Sequence, residues 1–205
     1  MINSPDDISK LIKNLVLPAG LTALISQDVK KHYYFGIEQI EKIIHANIID
    51  INPEVIQSLE NNTFELIKDL NEDIGNKLRE ILKQNIVAKQ SSTRIVKEIK
   101  DLFDTTEFRA RTIARTETAR AYNVGALEAA RKSPIKLRKY YSAVLDNRTS
   151  ALCRRLAYKY DKEHSIPINQ YFVDEVTGKS FLTPPGGRGI HSSHPNCRSE
   201  AIFTV

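Results

Sequence analysis

The chain has 205 residues, 41% of them apolar and 27% charged, with a formal net charge of +5. That length allows one good core, or one domain with an appendage, and the composition excludes disordered and collagen-like chains. No apolar run approaches the roughly 20 residues that span a bilayer, the start MINSPDDISK lacks the basic and apolar blocks of a secretory leader, and two cysteines make no disulfide framework, so a cytoplasmic protein is expected and the mild positive charge permits a nucleic-acid partner without demanding one.

In chain order, Ile8, Leu11, Ile12 and Leu15 predict a helix over 5–17 behind Ser4-Pro5, and Pro18-Ala19-Gly20 breaks it. A second helix is expected over 22–48, with Leu24, Ile25, Ile37, Ile40, Ile43 and Ile44 inward and Tyr33, Tyr34 and Phe35 as packing residues. Asn52-Pro53 is a cap followed by proline at the first helical position. Ile56, Leu59, Thr63, Leu66, Leu70, Ile74, Leu78 and Ile81 then mark one apolar stripe, which must lie against another helix in a hairpin or small bundle. Gly75 is a weak point inside that helix. Ser91-Ser92 caps a helix expected over 93–103, and Asp104-Thr-Thr-Glu107 reads as a capping box that opens another over 104–132. One face of that helix carries Ala110, Ala114, Glu117, Ala121 and Gly125, side chains small enough for another backbone to come close.

Ser133-Pro134 stops the helix. A strand is expected over 138–145, then a turn over 146–150 rich in side chains that bond their own backbone. Residues 152–156 suit a helix or an extended piece; 157–169 are mixed and polar. Residues 170–173 and 180–182 flank a turn with Gly178, and 200–205 form a last strand. The expected fold is α+β: a helical half, then a long helix packed on a small irregular antiparallel sheet.

The chemistry-bearing residues gather late. Glu117, if buried, needs a cation or several donors, with Arg148 and Arg198 as candidates. The favoured account is a structural polar network of Arg115, Glu117, Asp146, Arg148, Thr149 and Arg198 that ties distant segments together. Cys153, His191, His194 and Cys197 could make a Cys2His2 zinc site, although no cofactor is expected and two reduced, buried thiols are the simpler reading. Cys197 with His194 and Asp146 supplies the residue types of thiol catalysis at a spacing that does not require it. Arg109, Arg111, Arg120, Lys136 and Arg138 offer a phosphate-tracking face.

Three pieces in order carry a resemblance: Ala114-Arg115-Thr116-Glu117 with Asn123 and Gly125; Asp146, Arg148, Thr149 and Cys153; and Pro184, Pro185, His194, Pro195, Cys197 and Arg198. Together they resemble the phage head morphogenesis domain of Mu F-like proteins, the group that includes the SPP1 minor head protein. The resemblance covers about residues 90–205. It departs from the family at Ser150 and Ser199, where many members have cysteine, so a four-thiolate site is not available here. The resemblance implies a head morphogenesis domain at 91–205 behind a helical docking region at 1–90. It also implies a non-enzymatic minor capsid protein of the portal vertex or capsid interior, made in the host cytoplasm. The implied partners are the portal protein and other procapsid components, with viral double-stranded DNA as a further candidate. The alternatives are an enzyme or toxin-like effector carrying the same domain, acting on nucleotide or nucleic acid, and a stand-alone DNA-binding module.

Overall fold

The computed structural model describes residues 19–48, 52–87, 92–186 and 193–205. Among them the fold is α+β, three long helices preceding a short helix and two small antiparallel sheets. Helix α1 is Ala19–Ile44, α2 Pro53–Val87 and α3 Ser92–Lys132; then come β1 (Arg138–Ser142), α4 (Ala151–Lys159), β2 (Ile166–Pro167), β3 (Phe172–Asp174), β4 (Lys179–Phe181) and β5 (Glu200–Thr204). The helix expected over 5–17 lies outside the described residues. The chain divides into two compact units: the described part of Met1–Ser26 with Asn61–Ala114, and Gln27–Glu60 with Arg115–Val205.

In the first unit, Thr63, Ile67, Leu70, Ile74 and Leu78 are the buried side of α2. The buried stripe passes through Ile67 where the three-and-four spacing pointed to Leu66, which is half-buried. Asp73 on α2 pairs with Lys77 at 3.1 Å and with Arg109 on α3. Residues 93–132 belong to one continuous helix rather than two. Thr105 and Thr106 sit in mid-helix, their hydroxyls donating to Asp101 O at 2.9 Å and Leu102 O at 2.8 Å. A capping box starts a helix only where the preceding residues leave it, and 94–103 contain neither proline nor glycine to break the ladder. A Cβ built on Gly75 meets nothing within 4 Å. Gly75→Ala should therefore stabilise the protein by about 0.5–1 kcal/mol in urea unfolding; an unchanged or lowered midpoint would contradict an open helical site.

The second unit begins with Val29, Tyr33, Ile37 and Ile40, the buried side of α1. That helix ends at His45, whose φ is 53°. The Asn52 carboxamide accepts from the Glu54 N–H at 3.0 Å, so α2 starts where the sequence indicates. Within this unit α1 crosses α3 with backbone against backbone: a Cβ on Gly36 would lie 2.0 Å from Tyr122 O, and one on Gly125 would lie 2.0 Å from Tyr33 O.

The larger sheet has the order β2-β1-β5 and the smaller is the hairpin β3-β4. Tyr141 lies opposite Ala201 in the β1–β5 register. The expected strand over 138–145 ends at Ser142, and Val144 and Leu145 are exposed. Residues 151–159 settle as helix, capped by Ser150, whose hydroxyl accepts from the Cys153 N–H at 3.2 Å. The hairpin turns at Gly178, φ 68°. Phe172 packs edge-on against Tyr141 and Tyr160, with ring centroids 5.3 Å apart in both pairs.

Candidate functional site

Segment 193–201 is held to α3 by two side chains of that helix. Thr116 Oγ1 accepts the Asn196 N–H at 3.0 Å, and Asn123 Oδ1 accepts the Ala201 N–H at 2.7 Å. Asn123 is fully buried and donates its amide to Ala119 O at 2.9 Å, which fixes the carboxamide for this task. The reason is local: β5 pairs with β1 on one side, and its other edge would leave an N–H buried without an acceptor. Pro195 followed by Asn196 at φ 57° suits a type II turn, which presents the Asn196 amide to α3. Ser193 N–H donates to Pro185 O at 2.7 Å, and Lys179 Nζ to Ser193 O at 2.8 Å, anchoring the start of the segment. Thr116 and Asn123 lie in the Ala114–Gly125 motif, but no spacing rule connects them to residues about eighty positions away.

The turn before α4 is organised by Asp146. Its carboxylate accepts the Arg148 N–H at 3.0 Å and both terminal nitrogens of Arg198, at 2.6 and 2.8 Å. The fork holds the Asp146 carboxyl far below the usual carboxylate range, the Arg198 bond being the largest cause. Thr149 accepts the Asp146 N–H at 2.9 Å. Arg148 stays at this turn as an outer member of the network, its guanidinium 3.9 Å from Asp146 and its side chain 69% exposed. Arg115 and Glu117 do not join it. Arg115 is exposed and joins no ion pair among the described residues. Glu117 is buried, and its cation is Arg120 on the next turn, at 3.0 and 3.3 Å, not Arg148 or Arg198. A neighbour three residues away reaches it at no loop-closure cost, which a partner from a distant loop would have to overcome.

Cys153, His194 and Cys197 come together. Cys153 Sγ is 2.9 Å from His194 Nε2, 3.2 Å from the Tyr141 hydroxyl and 3.9 Å from Cys197 Sγ. Both cysteines are free and buried. The Cys153 thiol is lowered first by the bond from Cys197 and then by His194, while that same bond and burial push Cys197 up. His194 is raised above its ordinary value, mainly by its bond to Cys153. The histidine thus faces Cys153 rather than Cys197, and its Nδ1 meets Pro195 O at 2.8 Å rather than Asp146. The Cys197–His194–Asp146 grouping that the residue types permit is therefore not the one that forms. His191 lies outside the described residues.

The basic residues proposed for nucleic acid are largely engaged within the chain. Arg109 pairs with Asp73, Arg111 with Glu107 and Arg120 with Glu117. Arg138 donates to Ser165 Oγ at 3.0 Å, and Lys136 is exposed.

Two pairings carry no signal in the sequence, where Lys139 reads as one more cation of the phosphate-tracking face beside Lys136 and Arg138. Arg155 forks onto buried Asp174 at 2.7 and 2.8 Å, joining α4 to the hairpin. Lys139, in the central strand, is 0% exposed and donates to Leu182 O at 2.6 Å. Burial lowers its pKa from 10.5 to about 7. The unfolded chain thus binds a proton that the folded one has lost between those values, so stability should rise with pH from about 7 toward 10.5 and fall to its low plateau below 7. The slope is up to ~1.4 kcal/mol per pH unit. Urea midpoints across that range should show the rise in wild type and not in Lys139→Met; an equal rise in both would assign it to other groups.

A family model described as Phage Mu protein F like protein matches residues 76–202, more than half of the chain. No curated protein and no solved structure gave a match. The matched span contains Thr116, Glu117, Asn123, the Asp146 turn, Cys153 and the closing segment with His194, Cys197 and Arg198. The chain belongs to the phage Mu protein F like family, a family of phage head morphogenesis.

Proposed function

We propose that this chain is a minor head protein, a non-enzymatic component that joins the procapsid at the portal and acts in head assembly and in packaging or delivery of the genome. The observation that carries the reading is the family match over 76–202, which encloses the whole polar framework. A second observation supports it. Three carboxylates of this unit are each taken up by an arginine: Asp146 by Arg198, Asp174 by Arg155 and Glu117 by Arg120. Such pairing specifies a fold in segments poor in apolar residues.

In this reading residues 91–205 are the head morphogenesis module and residues 1–90 the docking region. The partners are the portal protein and other procapsid components. Viral double-stranded DNA is a further partner, with Arg115 and Lys136 as the exposed cations for it. The protein ends in the capsid interior or at the portal vertex, after assembly in the host cytoplasm. No helix among the described residues is long and apolar enough to cross a membrane.

The test is co-purification of the tagged full chain from cells that express the neighbouring phage head genes. Recovery of a portal-sized ring protein is expected. A chain that emerges alone while complete procapsids form beside it would overturn the reading. DNA contact is checked separately by the salt dependence of binding, which must be steep if phosphates are tracked.

A further inference from the structure

We propose that Cys153, His194 and Cys197 are three ligands of one zinc-class divalent cation, whose fourth position opens to the small cavity beside Ser150 and Ser199. The donor atoms of the three residues all lie within 4.8 Å of one another. Zinc–thiolate bonds of about 2.3 Å in a tetrahedron place two sulfurs about 3.8 Å apart, and the Cys153–Cys197 separation is 3.9 Å. The Cys153–His194 distance of 2.9 Å is that of a hydrogen bond. Metal binding would widen it by roughly half an ångström, to the edge expected from bonds of about 2.3 and 2.0 Å.

The surroundings suit ligation. The His194 Nδ1 meets Pro195 O at 2.8 Å, and a ring that donates one N–H to a carbonyl presents the other nitrogen to a metal, the usual outer-shell arrangement. The Tyr141 phenol, kept protonated by burial, hydrogen-bonds Cys153 Sγ at 3.2 Å. The cavity of about 20 Å³ lined by Ser150, Cys153, His194 and Ser199 has room for one water at the fourth position. Two thiolates balance a dication, and the adjoining Asp146–Arg198 pair is neutral as a unit. The ligands come from α4 and from the closing segment, 41 and 44 residues away, so a metal there would close long loops that hydrogen bonds close now.

The proton count is explicit. The metal displaces the proton shared by Cys153 and His194 and the proton of Cys197. One M²⁺ enters and two H⁺ leave, with no change of oxidation state.

The test is titration of the full chain, reduced, stripped with chelator and kept anaerobic, with Co²⁺ as the probe. The expected result is saturation at one Co²⁺ per chain. It should bring the intense visible bands of tetrahedral cobalt, thiolate charge transfer in the near ultraviolet, release of two protons per metal, and displacement by Zn²⁺. His194→Ala leaves both thiols in place and should weaken binding at least tenfold while keeping the charge-transfer band. A weak octahedral spectrum in the folded wild type would overturn the proposal, whatever the variants do. So would affinity unchanged in His194→Ala. Because the readout is metal loading, it stands apart from portal association, and either result leaves the head-protein reading to its own test.

Discussion

Gly125→Ala is expected to destabilise the second unit by more than about 3 kcal/mol, and Gly36→Ala by a similar amount, the upper end of what overpacking costs. The added methyl of Gly125→Ala would sit 2.0 Å from Tyr33 O and 2.9 Å from Tyr33 C. That of Gly36→Ala would sit 2.0 Å from Tyr122 O and 2.7 Å from Ala126 N. These neighbours are helix backbone, so no rotamer change relieves the contact. Relief requires α1 to move off α3, which loosens Tyr33 and Ile37 on one helix and Ala121 and Ala126 on the other, all buried. Alanine would contribute up to ~1 kcal/mol of helix propensity, too little to offset that loss. Because both substitutions are relieved by the same separation, the double variant should cost less than the sum of the singles. Urea unfolding at 25 °C reads all three. A Gly125→Ala midpoint close to wild type would mean that the helices do not cross backbone to backbone.

That crossing marks a boundary of what the chain tells on its own. The small-residue face of α3 was legible because Ala110, Ala114, Ala121 and Gly125 recur at helical spacing on one face. Its partner was not: a lone glycine inside a helical pattern reads as a weakness, and Gly36 differs from Gly75 only in what lies opposite. The α2 stripe, the Asn52-Pro53 start and the Gly178 hairpin were legible because propensity, capping and turn chemistry are local. The break expected at Asp104 was a local signal that the continuing helix outweighed. In the candidate site, Asp146 and Arg198 could be placed in one network in advance, since each stood in a turn or segment short of apolar residues, but not as each other's partner. The acceptors Thr116 and Asn123 could not be assigned, because their donors are backbone amides, which every residue but proline offers. Cys153 and Cys197 could be brought together from the sequence, but which of them His194 faces depends on the Pro195-Asn196 turn.

Glu117→Ala is expected to cost on the order of 3–5 kcal/mol, because it strands a cation rather than because it removes a link between segments. The Glu117 side chain is 3% exposed and that of Arg120 is 12% exposed. The pair lies on one helix turn, at 3.0 and 3.3 Å, and ties no loop down. Most of the cost is therefore the guanidinium left without its carboxylate in a site nearly closed to water. Two consequences separate this account from a tethering role. Glu117→Leu combined with Arg120→Met should recover most of the loss, since apolar groups of similar size need no partner; a tether would be lost in both the single and the double variant. Glu107→Ala breaks the pair with Arg111 on the same helix, whose side chains are 63% and 77% exposed, and should leave Tm unchanged within error, because water replaces the carboxylate there. Urea midpoints for the four proteins decide the matter. A double variant as unstable as Glu117→Ala would mean that the carboxylate makes a contact that apolar packing cannot replace. The closing segment would then depend on Glu117 as well as on Thr116 and Asn123.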